Sequence, residues 1–289
     1  MVSLMDLGIC MRDLPVDEVV RLGKFAEDNG YASIYLPETG NHQPSGGLSG
    51  RSPYISLAAM FAVTNLVKGA VGVAAAPFRS LPHLALSAAT LNEQSEGRFT
   101  LGVGVSHREA ASRLGIPFPS SPLRWMEIAL DELMGQSRFG VSFGKGFEVL
   151  VGALGPKMVE LGSAKSDGVV LNWLTPQHAA ETVKVAREAG RSNGRTPQTV
   201  LYVRLSPSEA LETDAVNYDA MLNYHQHFVR QGLASTEEIV RGTCMNVMDL
   251  TRAREQLTEY EEAGIDLVCV YPHGLSRSEY ETALGALTT

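Results

Sequence analysis

FEVLVGALGPKMVELGSAKSDGVVLNW, residues 147–173, is the stretch from which the fold can be read. Phe147–Val151 is a short, mainly apolar run with β-branched residues, and Gly152-Ala153-Leu154-Gly155 turns the chain after it. Pro156 stands where a first helical residue belongs. Met158 and Leu161 continue at helical spacing, Gly162 is placed to stop the helix, and Asp167-Gly168 turns into a second apolar run, Val169–Leu171. This is one βαβ unit. Small residues at its first turn let a ligand approach the backbone, and the free N–H groups of a helix N-terminus favour an anion, so a phosphate is the expected guest. The same Gly-Pro pair also serves in ordinary strand-to-helix connections.

Outward from this unit the alternation repeats. Strands are predicted at Leu4–Ile9, Ser33–Leu36, Val71–Ala76 and Phe99–Val103 before it, and at Val200–Leu205 and Asp266–Val270 after it. Helices are predicted at Val16–Asn29, Ile55–Thr64, His83–Ser95 (Leu84, Leu86, Ala88 and Leu91 inward), Trp125–Met134, Pro176–Ala189 and Ser278–Leu287. A longer, more polar helical region runs from about Glu209 to Glu262. Eight βα units without a linker indicate one α/β domain over 1–289, a (β/α)8 TIM barrel, with a helical insertion between the seventh and eighth strands. Active sites of such barrels lie at the strand C-termini, which singles out Glu38, Ala74–Pro77, Gly104–Arg108, Gly152–Lys157, Asn172-Trp173 and Tyr271–Gly274. The Gly/Ser/Pro-rich Glu38–Pro53 is long for a connection and leaves one of these ends.

Composition narrows the partners. With 44% hydrophobic and 19% charged residues, a net charge of −8 and no run of Lys or Arg, the chain suits neither nucleic acid nor anionic membrane. No apolar stretch is long enough to span a bilayer, and the first residues, MVSLMDLGIC, lack the basic and cleavage-site features of a leader, so a cytoplasmic location is expected. Cys10, Cys244 and Cys269 are too few and too scattered for a disulfide framework or a zinc site and read as small hydrophobes. His225 and His227 in NYHQH lie two apart and face different ways on a helix, so they share no metal and are expected on a solvated face. Gly102-x-Gly104 lacks the third glycine of a dinucleotide fingerprint, and Gly155-Pro156-Lys157-Met158 lacks the Ser/Thr of a P-loop.

Four segments, SIYLPET (33–39), LNEQSEGRFTLGVG (91–104), GALGPKMVEL (152–161) and SDGVVLNW (166–173), together resemble the bacterial-luciferase-like flavin and deazaflavin oxidoreductases, closest to the branch using coenzyme F420. The resemblance implies that Gly152, Ala153, Gly155, Pro156 and Lys157 form the turn that receives the cofactor phosphate, with Asn172 near it. It implies a bulge with a non-proline cis peptide at Val73-Ala74 backing the ring of the cofactor, where Ala74, Ala75 and Ala76 leave room. It places Glu38 toward cofactor and substrate, although a solvated loop carboxylate reads the same way. His107 adjoins the position of a proton donor, and imidazole has the pKa for that work. Trp173, Tyr271 and His273 are expected to wall the substrate pocket, or to pack at the barrel rim.

The implied activity is hydride transfer between F420 and a small organic substrate, in a homodimer. The alternatives are an FMN-dependent monooxygenase on the same barrel and a non-catalytic cofactor-binding barrel. Two departures from the family stand out: Gly135–Gly146 is a shortened insertion before the fifth strand, expected to reduce the cover over the site, and Lys165-Ser166 replaces an acidic residue before Asp167.

Overall fold

The computed structural model describes residues 5–38, 41–42, 48–138, 140–141 and 144–288. The chain opens with β1 (Asp6–Cys10), α1 (Val16–Asp28) and β2 (Ser33–Leu36), followed by an antiparallel pair, β3 (Asn41–His42) and β4 (Leu48–Ser49). Next come α2 (Pro53–Phe61), β5 (Lys68–Ala75), α3 (Leu81–Gln94), β6 (Phe99–Gly104), α4 (Arg108–Arg113), α5 (Pro122–Ser137) and β7 (Glu148–Gly152). α6 (Pro156–Lys165), β8 (Gly168–Asn172), α7 (Pro176–Ser192) and β9 (Gln198–Ser206) complete the third quarter. α8 (Ser208–Asp219), α9 (Leu222–Arg230), α10 (Thr236–Thr243), β10 (Met245–Asn246), α11 (Leu250–Glu262), β11 (Leu267–Pro272) and α12 (Arg277–Leu287) finish the chain.

The large sheet runs β10-β9-β11-β1-β2-β5-β6-β7-β8, and β8 also pairs with β9. That last pairing closes eight parallel strands into a barrel, with β10 lying beside the end of β9. Inside sits a compact layer including Tyr35, Leu150, Val200, Tyr202 and the free thiols of Cys10 and Cys269. A larger layer of aliphatic side chains lies between strands and helices. A third cluster, with Trp173, Tyr224, Phe228 and Cys244, lies under α8, α9 and α10.

Four expectations are corrected. Gly162 does not end α6, which continues to Lys165. A Cβ there would come within 2.9 Å of both Val151 and Val169, so the glycine lets the helix press onto two strands. Leu86 faces outward, 58% exposed. The polar region from Glu209 to Glu262 is four helices with a short strand, and its last helix, α11, is the ordinary barrel helix preceding β11. The shortened segment before β7 enters the strand at its N-terminal end, where Asn92 Nδ2 donates to the carbonyls of Lys145 and Gly146, both at 2.9 Å. Lys145 and Gly146 thus lie at the opposite face from the mouth, so this end of the segment does not cover the site.

Candidate active site at the barrel mouth

The floor of the mouth is built around β5. Its register against β6 slips between Val71 and Ala74, and the Gly72-Val73 peptide is cis, one residue before the expected Val73-Ala74. Tyr202 donates its hydroxyl proton to the Gly72 carbonyl at 2.8 Å. Val73 projects over β6 and β7. A Cβ on Gly102, Gly104 or Gly152 would lie 2.9, 2.8 or 3.2 Å from its methyl carbons, so these glycines exist to admit Val73. Ala74 is buried, and Val73 and Ala75 are half-buried.

Glu38 closes one side. One carboxylate oxygen accepts from the Ala75 N–H at 3.1 Å, and the other accepts from Arg79 Nε at 2.8 Å and from Arg79 Nη2. Arg79 lies over the Tyr54 ring at 5.0 Å. Glu38 thus ties the end of β2 to the bulge, and proton exchange by it requires loosening an ion pair.

Gly155 caps α6, whose first turn carries no acidic side chain, while Lys157 is exposed. Pro156 has no N–H and the Met158 N–H donates to the Gly155 carbonyl at 3.0 Å, so Lys157 carries the first-turn amide without an intrahelical acceptor. Arg230, at the end of α9, brings Nη2 to 3.9 Å from where a Gly155 Cβ would be. Two α9-side residues hold this helix in place. His227 Nε2 donates to the carbonyls of Trp173 at 2.9 Å and Asn172 at 3.1 Å. Gln231 Nε2 donates to the Trp173 carbonyl at 2.8 Å and its oxygen accepts from Thr175 N–H at 3.0 Å. His227 is therefore buried, not on the expected solvated face, because it anchors the insertion, and burial lowers its pKa to about 4. His225 is the exposed one, beside Asp219 at 3.0 Å.

From β6 to β11 a contact chain crosses the mouth. The His107 ring lies 5.6 Å from Tyr224, whose hydroxyl accepts from Asn172 Nδ2 at 3.4 Å. Asn172 Oδ1 accepts from Arg204 Nη1 at 2.7 Å, and Arg204 Nε donates to Asp214 at 3.1 Å. His273 Nε2 approaches the same Asp214 oxygen at 3.4 Å. Arg204 is fully buried and stacks on Trp173 at 3.7 Å, with Tyr218 and Tyr271 further around it. His107 Nδ1 is sealed from solvent without a hydrogen-bond partner among the described residues, and burial lowers the ring's pKa.

The contact chain joins His107, Asn172, Trp173, Tyr271 and His273, and leaves Glu38 on the far side of the bulge. Trp173 is completely buried beneath Tyr218 and Phe228, so it backs Arg204 and does not wall an open pocket. The Asn172 side chain is committed to Arg204 and Tyr224. Arg204, Asp214, Tyr224, Arg230 and Arg12 escape a sequence reading. Arg204 alone carries a signal, a charge inside the apolar run LYVRL. Two clefts of about 320 and 330 Å3 lie elsewhere, between α5 and α6 and among α8, α10 and α11. Neither is lined by the mouth residues named above, although Ser208, just past the end of β9, lines the second.

Residues 8–130 match the family described as luciferase-like monooxygenase. Over this part the chain is similar to that family. Two curated relatives named 5,10-methylenetetrahydromethanopterin reductase, from Methanolobus tindarius and Archaeoglobus fulgidus, are each 28% identical, over 64% and 67% of this chain. The aligned part spans 59% and 61% of their own lengths. Among solved structures, an F420-dependent secondary alcohol dehydrogenase superposes with TM-score 0.78 at 13% identity, covering 98% of both chains. The coenzyme F420-dependent tetrahydromethanopterin reductase of Methanopyrus kandleri gives 0.75 at 18%, over 99% of this chain and 98% of that one. An FMN complex of the oxygenating constituent of 3,6-diketocamphane monooxygenase from Pseudomonas putida gives 0.70 at 15%, over 99% and 98%. At such identities the structures establish the luciferase-like barrel fold.

Proposed function

We propose that this chain is an F420-dependent oxidoreductase acting on a small organic molecule in the barrel mouth. The observation that carries the reading is the α6 N-terminus, bare of acidic side chains and flanked by Arg230, beside the Val73 floor. The amides around Gly155 with Arg230 would hold the phosphate, and Val73, Ala74 and Ala75 would support a flat ring. Both reductases' names and the two F420-dependent structures favour the deazaflavin, which when bound supplies a hydride donor or acceptor. His107, neutral near pH 7 because it is buried, takes or returns a proton at Nε2, the ring nitrogen that is not sealed in. Glu38 and Arg79 hold the bulge in position. The protein acts as a homodimer.

The match of residues 8–130 to luciferase-like monooxygenases supports a second reading, an FMN-dependent monooxygenase using the same anion turn. Titration of cofactor-free protein with F420 and with FMN, followed by cofactor absorbance, separates them. Tight F420 and weak FMN binding is expected, with Arg230→Ala weakening F420 by about tenfold through loss of a charge-assisted contact. FMN binding as tight as F420, or no binding of either, would overturn the proposal.

A further inference from the structure

We infer that the substrate carries an oxyanion, a carboxylate or a phosphate, gripped by Arg12 beside Tyr271 and His273 on the β9–β11–β1 arc of the mouth. The inference deepens the oxidoreductase reading, and rests on it for calling the ligand a substrate. β11 pairs with β9 on one side and β1 on the other, so the residues at their C-terminal ends converge. Arg12 follows β1, Arg204 lies on β9, and Tyr271 and His273 lie at the end of β11.

Three donors on this arc are unpaired or weakly paired among the described residues. The Arg12 guanidinium makes no hydrogen bond among the described residues, and its one ion pair is a 3.8 Å contact with Asp13. That pair is 41% and 38% exposed, and water screens such pairs. The Tyr271 hydroxyl likewise has no hydrogen bond among the described residues, though the residue is 5% exposed. His273 Nε2 is sealed from solvent without a hydrogen bond among the described residues, with the Asp214 oxygen 3.4 Å away. Arg12 is exposed and open to a ligand arriving from solvent, and His273 Nε2, sealed from solvent, is the donor of the three that would ordinarily have found a partner.

Charge points the same way. Asp214 is the buried carboxylate on this arc, and Arg204 and His273 both press on it while Arg12 lies within electrostatic reach of it, of Tyr218 and of Tyr271. Two guanidinium groups thus face one buried carboxylate, in a chain whose net charge is −8. Arg204 cannot take the ligand with the groups it has spent on Asp214 and Asn172, but its field remains. Arg12 is held only by its screened contact with Asp13, so its fork can turn to a ligand, the geometry that suits a carboxylate or phosphate.

The test uses the full chain with Trp125→Phe, which leaves Trp173, stacked on Arg204, as its single indole. Its fluorescence is followed at low salt during titration with glutarate against neutral glutaramide, and with glycerol 3-phosphate against glycerol. Saturable binding of at least one anion is expected, with its neutral counterpart at least about tenfold weaker. The better anion identifies carboxylate or phosphate. Arg12→Gln should weaken that anion about tenfold or more and Arg12→Lys should recover part, while Arg230→Ala should leave it within about twofold.

Equal binding of charged and neutral probes, no binding of either anion, an unaffected Arg12→Gln, or loss in Arg230→Ala would each overturn the anion site. Circular dichroism checks the fold of Arg12→Gln; should it not fold, Arg12→Lys and the charged-to-neutral comparison on the parent decide. F420 absorbance titrations on the same proteins keep the two readings apart. F420 binding without anion binding sinks this inference alone, and anion binding without F420 binding sinks the oxidoreductase reading alone.

Discussion

At the scale of single residues, His107 is where the site's chemistry can be checked most directly. Burial lowers its pKa below the ordinary 6.5, so the neutral ring predominates at pH 7. If it is the base, kcat/KM should rise with pH through a pKa below that value and then stay level. His107→Asn should lower kcat by about a hundredfold or more and abolish that rising limb, with F420 affinity little changed. Retained kcat and an unchanged pH profile would remove His107 from the reaction. Glu38→Gln should cost less in kcat, since Glu38 is occupied with Arg79 and the Ala75 amide and acts by positioning. Sequence order places Glu38 and His107 just past β2 and β6 because strand ends are legible. Asp214 was not legible as Arg204's partner, since a polar helix far along the chain reads the same whether or not it folds back over a strand end. Trp173 was misplaced for the same reason: the aromatic rings that cover it come from α8 and α9.

Elements reveal what local patterns confuse. A glycine late in a helix resembles a stop signal, yet Gly162 is a packing position, and Gly162→Val should destabilise the barrel by about 1–3 kcal/mol through overpacking. Denaturant titration measures this, and an unchanged midpoint would show that α6 can move away from Val151 and Val169. α9 makes a second case, because its burial of His227 can be titrated. Its folded pKa of about 4 lies below the ordinary 6.5, so the unfolded chain binds the proton first as pH falls. Stability from His227 is therefore complete above about pH 6.5, and about 3 kcal/mol is lost by pH 4. His227→Gln keeps a donor but cannot titrate, so its stability should fall less over that window. Parallel pH curves for the two proteins would show that His227 does not anchor α9 as the geometry indicates.

For the whole molecule, the regular succession of strands and helices made the barrel legible, because each strand needs a helix to cover its outer face. What surrounds the barrel is less local. α2, α3 and α5 are neighbours on its outside, and each exposes a large aliphatic side chain: Ile55 at 66%, Leu86 at 58% and Ile128 at 53%. Leu86, read from its spacing as inward, is the clearest sign that periodicity alone does not say what a helix packs against. Single exposed aliphatics are common, but three on adjacent helices form a face that a second copy could cover. A twofold arrangement would use this face on both subunits. Light scattering on a sizing column should then give a dimer for the native chain and a monomer for Leu86→Lys, since an unpaired ammonium would be buried at the centre. F420 binding by that monomer should persist, as the mouth is built within one barrel. A monomeric native chain, or a Leu86→Lys protein that stays dimeric, would place the assembly surface elsewhere or remove it.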